Sequence, residues 1–242
     1  MQGVSKRFES GRGTVTALDD VSFAARDGEF LCIVGPSGCG KTTLFRLIAG
    51  FEEPTEGEVC VDGERVAGPG TDRGMVFQDY RLFPWRTVGE NVGFGLEQQD
   101  DGDRNARAAR VTEMLDLVGL DGTGDAYPKE LSGGMKQRVG LARALAVDPA
   151  VLMMDEPFGS VDAQTREELH TRFIDIWERT EKTVLFTTHE VDEAVHLADR
   201  VLVMGSNPGS VKEVVDIDLD RPRSRTDDAF ADRAEHIRSL IG

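Results

Sequence analysis

The sequence lacks any apolar run near the roughly 20 residues that a membrane-spanning helix requires. Its first ten residues include Lys6, Arg7 and Glu9, and no apolar stretch of the signal-peptide type follows them. We therefore expect the chain to remain in the cytoplasm. If it works at a membrane, another subunit has to supply the spanning helices.

Basic residues are scarce: 28 Lys and Arg stand against 44 Asp and Glu, which gives a formal net charge of -16. This balance argues against non-specific binding to nucleic acid and against docking on an anionic lipid surface. The acidic residues cluster in predicted loops and tails, as at Glu52-Glu53 and Asp216 to Asp220. Such acidity resembles that of proteins from salt-loving organisms, in which salt screens self-repulsion, and a halophilic origin is our hypothesis for it.

Cysteine is also scarce, with Cys32, Cys39 and Cys60 as the three thiols. No two of them have the spacing of a metal-binding CxxC pair, so we expect reduced thiols. What the sequence does contain is 39% hydrophobic residues, enough for a buried core.

Short apolar runs alternate with helical patterns along the chain. The runs are Phe30–Val34, Val151–Met154, Val184–Thr187 and Val201–Met204, and the helices are predicted at residues 41–50, 133–146, 162–179 and 191–198. Continuous apolar runs are typical of strands that are buried on both faces. The alternation predicts an α/β fold with a mainly parallel sheet.

Other segments differ from this pattern. Residues 15–23 predict antiparallel β structure, and residues 59–66, centred on Asp62-Gly63, predict a hairpin. We expect one domain, with its core at 1–85 and 150–205 and an inserted helical subdomain at about 86–149. A C-terminal tail, residues 206–242, is expected to hold a last strand pair and a polar end.

A glycine-rich loop links the first buried run to a helix. It reads Gly35-Pro36-Ser37-Gly38-Cys39-Gly40-Lys41-Thr42 and fits the pattern G-x-x-x-x-G-K-[ST], with Thr43 next. Glycines let consecutive N–H groups wrap a phosphate, and the helix N-terminus adds partial positive charge. We predict that Lys41 reaches the β- and γ-phosphates and that the Thr42 hydroxyl binds Mg²⁺. The alternative, an ordinary glycine-rich turn, fits the strand and helix on either side less well.

Two carboxylates, Asp155 and Glu156, end the second apolar run. Unpaired carboxylates are costly at the end of a buried strand, so packing alone is a poor reason for them. The functional interpretation assigns Asp155 to Mg²⁺ and Glu156 to the attacking water. The alternative is an acidic loop at the end of a strand.

Two further features exceed what a simple phosphate-binding loop needs. Leu131 to Arg138 is a polar, glycine-rich helix start, where Ser132 and the N–H groups of Gly133 and Gly134 suit an anion. Its simpler interpretation is a helix cap. His189 ends a predicted strand and is either structural or part of a site at the carboxyl edge of the sheet.

Together these motifs resemble the ATPase subunit of ABC transporters over nearly the whole chain. The resemblance implies that Leu131 to Met135, with Ser132, Gly133 and Gly134, form the signature that closes over ATP held by a partner subunit. It implies that Gln78 senses nucleotide and membrane subunit and binds Mg²⁺, that Asp162 communicates across the dimer, and that His189 contacts the γ-phosphate. Phe8 stands where the family stacks an aromatic ring on adenine, although a core phenylalanine is the alternative. Most of the usual first strand before Val4 is missing from the sequence, so either the start is assigned late or the first strand is short.

Finer details resemble the branch that imports nitrate, sulfonates, taurine and related small anions. The details are Arg73 to Gln78, Leu82 to Val88, Asp155 to Gly159, His189 to Val195 and Asn207 to Gly209. Within them, Pro84-Trp85-Arg86 is either a contact for a permease helix or a surface turn with Trp85 tucked inward. Met135 stands where the wider family usually has glutamine, and Val161 where leucine is usual.

The resemblance implies a homodimer that encloses two ATP molecules, with Lys41, Gln78, Glu156 and His189 as catalytic residues. Its partners would be transmembrane permease subunits and, indirectly, a solute-binding protein outside the cell, and its place the cytoplasmic face of the membrane. The alternatives are an ABC ATPase without transport, an importer of another solute such as a thiamine precursor, and a P-loop kinase. The cargo itself is not encoded in this chain, because ATPase subunits do not touch it.

Overall fold

The computed structural model describes residues 1–11, 13–99, 103–159 and 163–242. It divides into two compact units, residues 1–70 with 183–242 and residues 71–182. In chain order the elements are β1 (Gln2–Ser10), β2 (Gly13–Val21), β3 (Phe30–Val34), α1 (Lys41–Ile48), β4 (Glu56–Glu58), β5 (Cys60–Val61), β6 (Glu64–Arg65), β7 (Arg73–Val76), α2 (Val88–Gly93), α3 (Arg104–Leu117), α4 (Gly133–Ala146), β8 (Val151–Asp155), α5 (Ala163–Thr180), β9 (Thr183–Thr188), α6 (Val191–Leu197), β10 (Arg200–Gly205), β11 (Ser210–Asp216) and α7 (Asp228–Ile241).

The first unit is built around the strand order β11-β10-β3-β9. β3 pairs in parallel with β10 and with β9, whereas β11 is antiparallel to β10. All five residues of β3 are buried, as the continuous apolar run predicts for a central strand. The α/β class and the mainly parallel pairing are confirmed.

Antiparallel strands form a separate sheet in the order β2-β1-β4, and β5 and β6 form the predicted hairpin. The alternative of a short first strand is wrong, because β1 extends over nine residues. It pairs with β2 from Val4↔Val21 to Ser10↔Gly13 and with β4 at Gln2↔Glu58. At Phe8, pairing with Val15 of β2 fixes the backbone.

The C-terminal segment differs from the expected strand pair and polar tail. One strand, β11, is present, and it pairs with β10. The helix α7 then buries Phe230, Ala234 and Ile237, which recur with the spacing of one helical face. Asp228, Asp232 and Glu235 lie on the exposed side of α7, and such charged residues are why the composition alone suggested a tail.

The second unit contains the parallel pair β7–β8 and the helices α2, α3, α4 and α5. Three of these helices, α2 to α4, lie within the stretch that the sequence predicts to be helical. α4 begins and ends at the predicted residues, Gly133 and Ala146. Across the described ranges in both units, no helix is both long and apolar enough to cross a membrane.

Candidate nucleotide-binding and hydrolysis site

The glycine-rich loop joins β3 to α1, and its glycines are required for different reasons. A Cβ atom on Gly35 would lie 2.8 Å from both the Cys39 Sγ and the Met204 carbonyl oxygen. Gly40 has φ +96°, and a Cβ there would lie 2.6 Å from the Leu18 Cδ2. Gly38 has φ +80° with no atom near its missing side chain. The loop is therefore packed on its inner side and open on the other, as a phosphate cradle requires.

Lys41 begins α1 and is 8% exposed. Its Nζ donates to the Gly35 carbonyl oxygen at 2.9 Å, so the ammonium group bends back over the loop. Thr42 is exposed and Thr43 half-buried in the same first turn, while Ser37 is exposed on the loop. A buried cation beside a helix N-terminus favours an anion at this position.

His189 follows β9 directly and is exposed. The register of the parallel pair aligns Val34 with Thr188, which are the last paired residues before Gly35 and His189. The structure therefore brings His189 and the phosphate loop to the same edge of the sheet in adjacent strands. The Glu190 N–H donates to the Thr188 Oγ1 at 3.0 Å and turns the chain into α6.

The second unit brings Gln78 and the two carboxylates together in the same way. β7 and β8 pair in parallel up to Val76↔Met154, so Gln78 and Asp155 emerge at one edge. Gln78 is exposed, and its Nε2 lies 3.4 Å from the position of a Cβ on Gly159. The amide group of Gln78 thus lies beside the turn that follows Asp155 and Glu156.

Glu156 has a backbone conformation that the sequence did not predict. Its φ is +45°, in the left-handed region, which costs a residue with a side chain about 1–2 kcal/mol. The carboxylate is half-buried, and the turn is closed by the Gly159 N–H, which donates to the Glu156 carbonyl oxygen at 3.1 Å. Strain of this kind is concentrated at functional sites, where it fixes the direction of a side chain.

Ser132 caps α4, since its Oγ accepts from the Met135 N–H at 3.3 Å. The helix-cap interpretation is therefore confirmed. Ser132 and Gly133 are exposed, and Ser132 and Gly134 line a groove of about 710 Å³. The cap leaves other N–H groups of the first turn available to an anion, so the same residues can also serve the function that the resemblance implies.

Comparison with known proteins identifies the family. The ABC transporter family matches residues 18–159. A nitrate import ATP-binding protein of Synechocystis is 49% identical over 98% of this chain and 92% of its own length. A taurine import ATP-binding protein of Burkholderia pseudomallei is 53% identical over 87% and 80% of the two chains. The chain belongs to the ABC transporter family.

The fold also matches that of solved ATP-binding cassettes. A dimeric ATP-binding cassette in a post-hydrolysis state, bound to ADP and Pi, superposes with a TM-score of 0.78. That structure is 31% identical and covers 90% of this chain and 98% of its own. The chain is an ABC-type ATPase that binds ATP. That the Ser132 segment acts as its signature motif stays a prediction. Asp162 lies outside the described residues, so its role at a dimer interface stays a prediction.

Phe8 of this ABC ATPase is 36% exposed, so the alternative of a core phenylalanine is wrong. Its ring lies 5.0 Å from the Lys6 Nζ, and its residue pairs with Val15, itself 59% exposed. An exposed aromatic ring on a well-paired strand is available for stacking. Stacking on adenine stays a prediction.

Sequence reasoning missed a residue that supports the phosphate loop from behind. A Cβ on Gly209 would lie 2.2 Å from the Cys39 carbonyl oxygen and 2.7 Å from that of Ala17. The backbone of Gly209 also exchanges hydrogen bonds with β2, donating to Ala17 and accepting from Asp19. The signal was the stretch Asn207-Pro208-Gly209, which entered the sequence analysis only as a detail of the family resemblance.

A second missed contact joins the segment after Gln78 to the signature helix. Arg143 of α4 donates to the carbonyl oxygens of Tyr80 at 2.9 Å and Arg81 at 2.7 Å. The Tyr80 hydroxyl lies 3.4 Å from the position of a Cβ on Gly133. Tyr80 and Arg81 both have left-handed φ, and burial lowers the pKa of the Arg143 guanidinium. One helix thus carries the signature and holds the backbone next to Gln78.

Proposed function

We propose that two copies of this chain enclose two ATP molecules and use their hydrolysis to drive import of a small anion through a membrane permease. The observation that carries the proposal is that this one chain contains two different places suited to an anion. The phosphate loop and His189 share one sheet edge, and the capped signature helix offers a second, exposed anion site. A site completed by a second copy makes ATP the agent that closes the dimer.

The proposed chemistry assigns each residue a separate task. Lys41 holds the β- and γ-phosphates, Glu156 accepts the proton of the attacking water, and His189 and Gln78 orient water and γ-phosphate. The Thr42 hydroxyl, the Gln78 amide oxygen and the Asp155 carboxylate are hard oxygen donors, the kind that Mg²⁺ prefers, and they fit this ion. When bound, Mg²⁺ would neutralise charge on the phosphates.

Trp85 supports a permease contact. It is 72% exposed, so the alternative in which it is tucked inward is wrong. Its ring lies 5.6 Å from that of Phe83, whose backbone exchanges two hydrogen bonds with the buried Asn91 side chain. Asn91 also donates to the carbonyl oxygens of Arg86 and Thr87. A large exposed aromatic on so well-fixed a loop suits a protein interface.

The proposed cargo is argued from two relatives of this chain. One is named for nitrate import and one for taurine import, and both of those solutes carry an oxyanion group. We propose a cargo of this class, delivered by a solute-binding protein, with the chain at the cytoplasmic face of the membrane. An ABC ATPase without transport is the competing function.

The test is reconstitution in liposomes with the permease that co-purifies with the chain. ATP-dependent uptake of nitrate or taurine with added binding protein is the expected result. Substitution Trp85→Ala should lower uptake and permease-stimulated hydrolysis at least about 10-fold, because Trp side chains are frequent interface hot spots. The basal ATPase rate of the isolated chain should not change.

The matched control is Phe51→Ala, which removes another exposed aromatic ring, 50% exposed, from the first unit. This variant should retain uptake. Co-purification of no permease, together with full hydrolysis, would favour the ATPase without transport. Normal coupling in the Trp85→Ala variant would contradict the proposed docking surface.

A further inference from the structure

Arg223 is a buried cation that the proposed chemistry does not use. It is 8% exposed, and its guanidinium donates to five carbonyl oxygens. The Nη1 donates to Val195 at 2.7 Å, Ala198 at 2.6 Å and His196 at 3.5 Å. The remaining bonds run from Nη2 to Ile217 at 3.3 Å and from Nε to Leu219 at 3.0 Å. Arg223 therefore ties the end of α6 to the segment that follows β11.

Arg221 supports the same end of α6. Its Nη2 donates to the Leu197 carbonyl oxygen at 2.6 Å and lies 2.9 Å from the Asp199 Oδ1. The other oxygen of Asp199 accepts from the Phe30 N–H at 2.9 Å, at the start of β3. The last carbonyl groups of α6 are thus satisfied by two arginines and connected to the strand that leads into the phosphate loop.

Burial makes the charged form of Arg223 less favourable than it would be in water. Burial, and then the neighbouring Arg221, lower the pKa of Arg223 to about 10. Asp199 offsets part of this effect. A fold that buries a guanidinium among carbonyl groups gains strong, directional bonds, because charged donors form the stronger hydrogen bonds.

α6 is short, and it begins two residues after His189. The arginines hold the carbonyl groups of the last three residues of this seven-residue helix, Val191–Leu197, and of Ala198. A helix of two turns is marginal by itself, so its position depends on its ends and on its packed face. Whatever fixes the end of α6 therefore also limits the movement of His189.

We propose that Arg223 is a positioning residue for His189, which it holds at the γ-phosphate through α6. This inference rests on the proposed role of His189 in hydrolysis. The phosphate loop binds ATP through other elements, so Arg223 should affect turnover and leave nucleotide affinity nearly unchanged.

The test is a double-mutant cycle on ATP hydrolysis. Substitution Arg223→Gln should lower kcat about 10- to 100-fold, the effect of a small misplacement of a reacting group. The KM for ATP should change by less than about twofold, because ground-state binding is untouched. In the His189→Ala background the same substitution should cause no further loss, since two changes that act through one group are not additive.

Arg225→Gln is the matched control, because Arg225 is exposed and two residues away; it should retain the original kcat. Arg223→Lys keeps the charge with fewer donors and should be intermediate, which preserves the test if Arg223→Gln fails to fold. Additive losses in Arg223→Gln and His189→Ala, or a rise in KM alone, would overturn the inference. Full activity in His189→Ala alone would instead overturn the proposed role of His189.

Discussion

Substitution Glu156→Gln should lower the ATPase rate at least about 100-fold, the contribution of a general base. Glutamine has the same size and can keep hydrogen bonds, but its amide cannot take a proton from the attacking water. Glutamine and glutamate adopt the left-handed φ of this position equally well, so the geometry of the turn should persist. The measurement is steady-state phosphate release at saturating ATP.

Glu178→Gln is the control for this change, since Glu178 is an exposed glutamate of α5. It should hydrolyse ATP at the original rate. ATP binding to the Glu156→Gln chain should remain, because the phosphate loop belongs to other elements. A normal rate in Glu156→Gln would show that another group acts as the base.

Substitution Gly134→Asp should abolish hydrolysis to a similar degree, about 100-fold or more, as expected where electrostatic stabilisation of a phosphoryl group is lost. A new carboxylate in the first turn of α4 interacts favourably with the dipole of its own helix. A Cβ at this position meets Thr165 at 3.4 Å, an ordinary contact. The fold should therefore be retained while the negative charge repels the γ-phosphate of the partner's ATP.

Gly134→Ala separates charge from size in this experiment. It adds only the methyl group, so we expect a loss of hydrolysis much smaller than that of Gly134→Asp. Thermal unfolding should show that neither variant is less stable than the parent chain. Rapid hydrolysis by Gly134→Asp would mean that the signature does not face a phosphate.

The chain's sequence predicts the parts of the site that depend on local pattern. The buried run Phe30–Val34, the glycines after it and Lys41 specify strand, loop and helix start together, and the structure has all three. Ser132 predicts the start of α4 because a serine before two glycines and a helical pattern is a cap. In motifs of this kind the local sequence pattern determines the local backbone structure.

Features that depend on distant contacts could not be predicted in this way. The close approach of Gly209 to Cys39 arises from packing between segments far apart in sequence. The left-handed φ of Glu156 has no marker in the residue type, because glutamate rarely adopts it. α7 was missed for another reason. Phe230, Ala234 and Ile237 do carry a helical spacing, but the acidic composition around them concealed it.

The central claim is that each ATP is held by the phosphate loop of one copy and the signature of another. The direct test compares the Glu156→Gln chain with and without ATP. Light scattering gives the mass of the particle, and the ATP bound to it is quantified separately. We predict one chain without ATP, and with ATP a particle of twice that mass that contains two ATP molecules and does not form when Gly134→Asp is also present. A single chain that retains ATP, or a dimer that forms equally without ATP, would contradict the account.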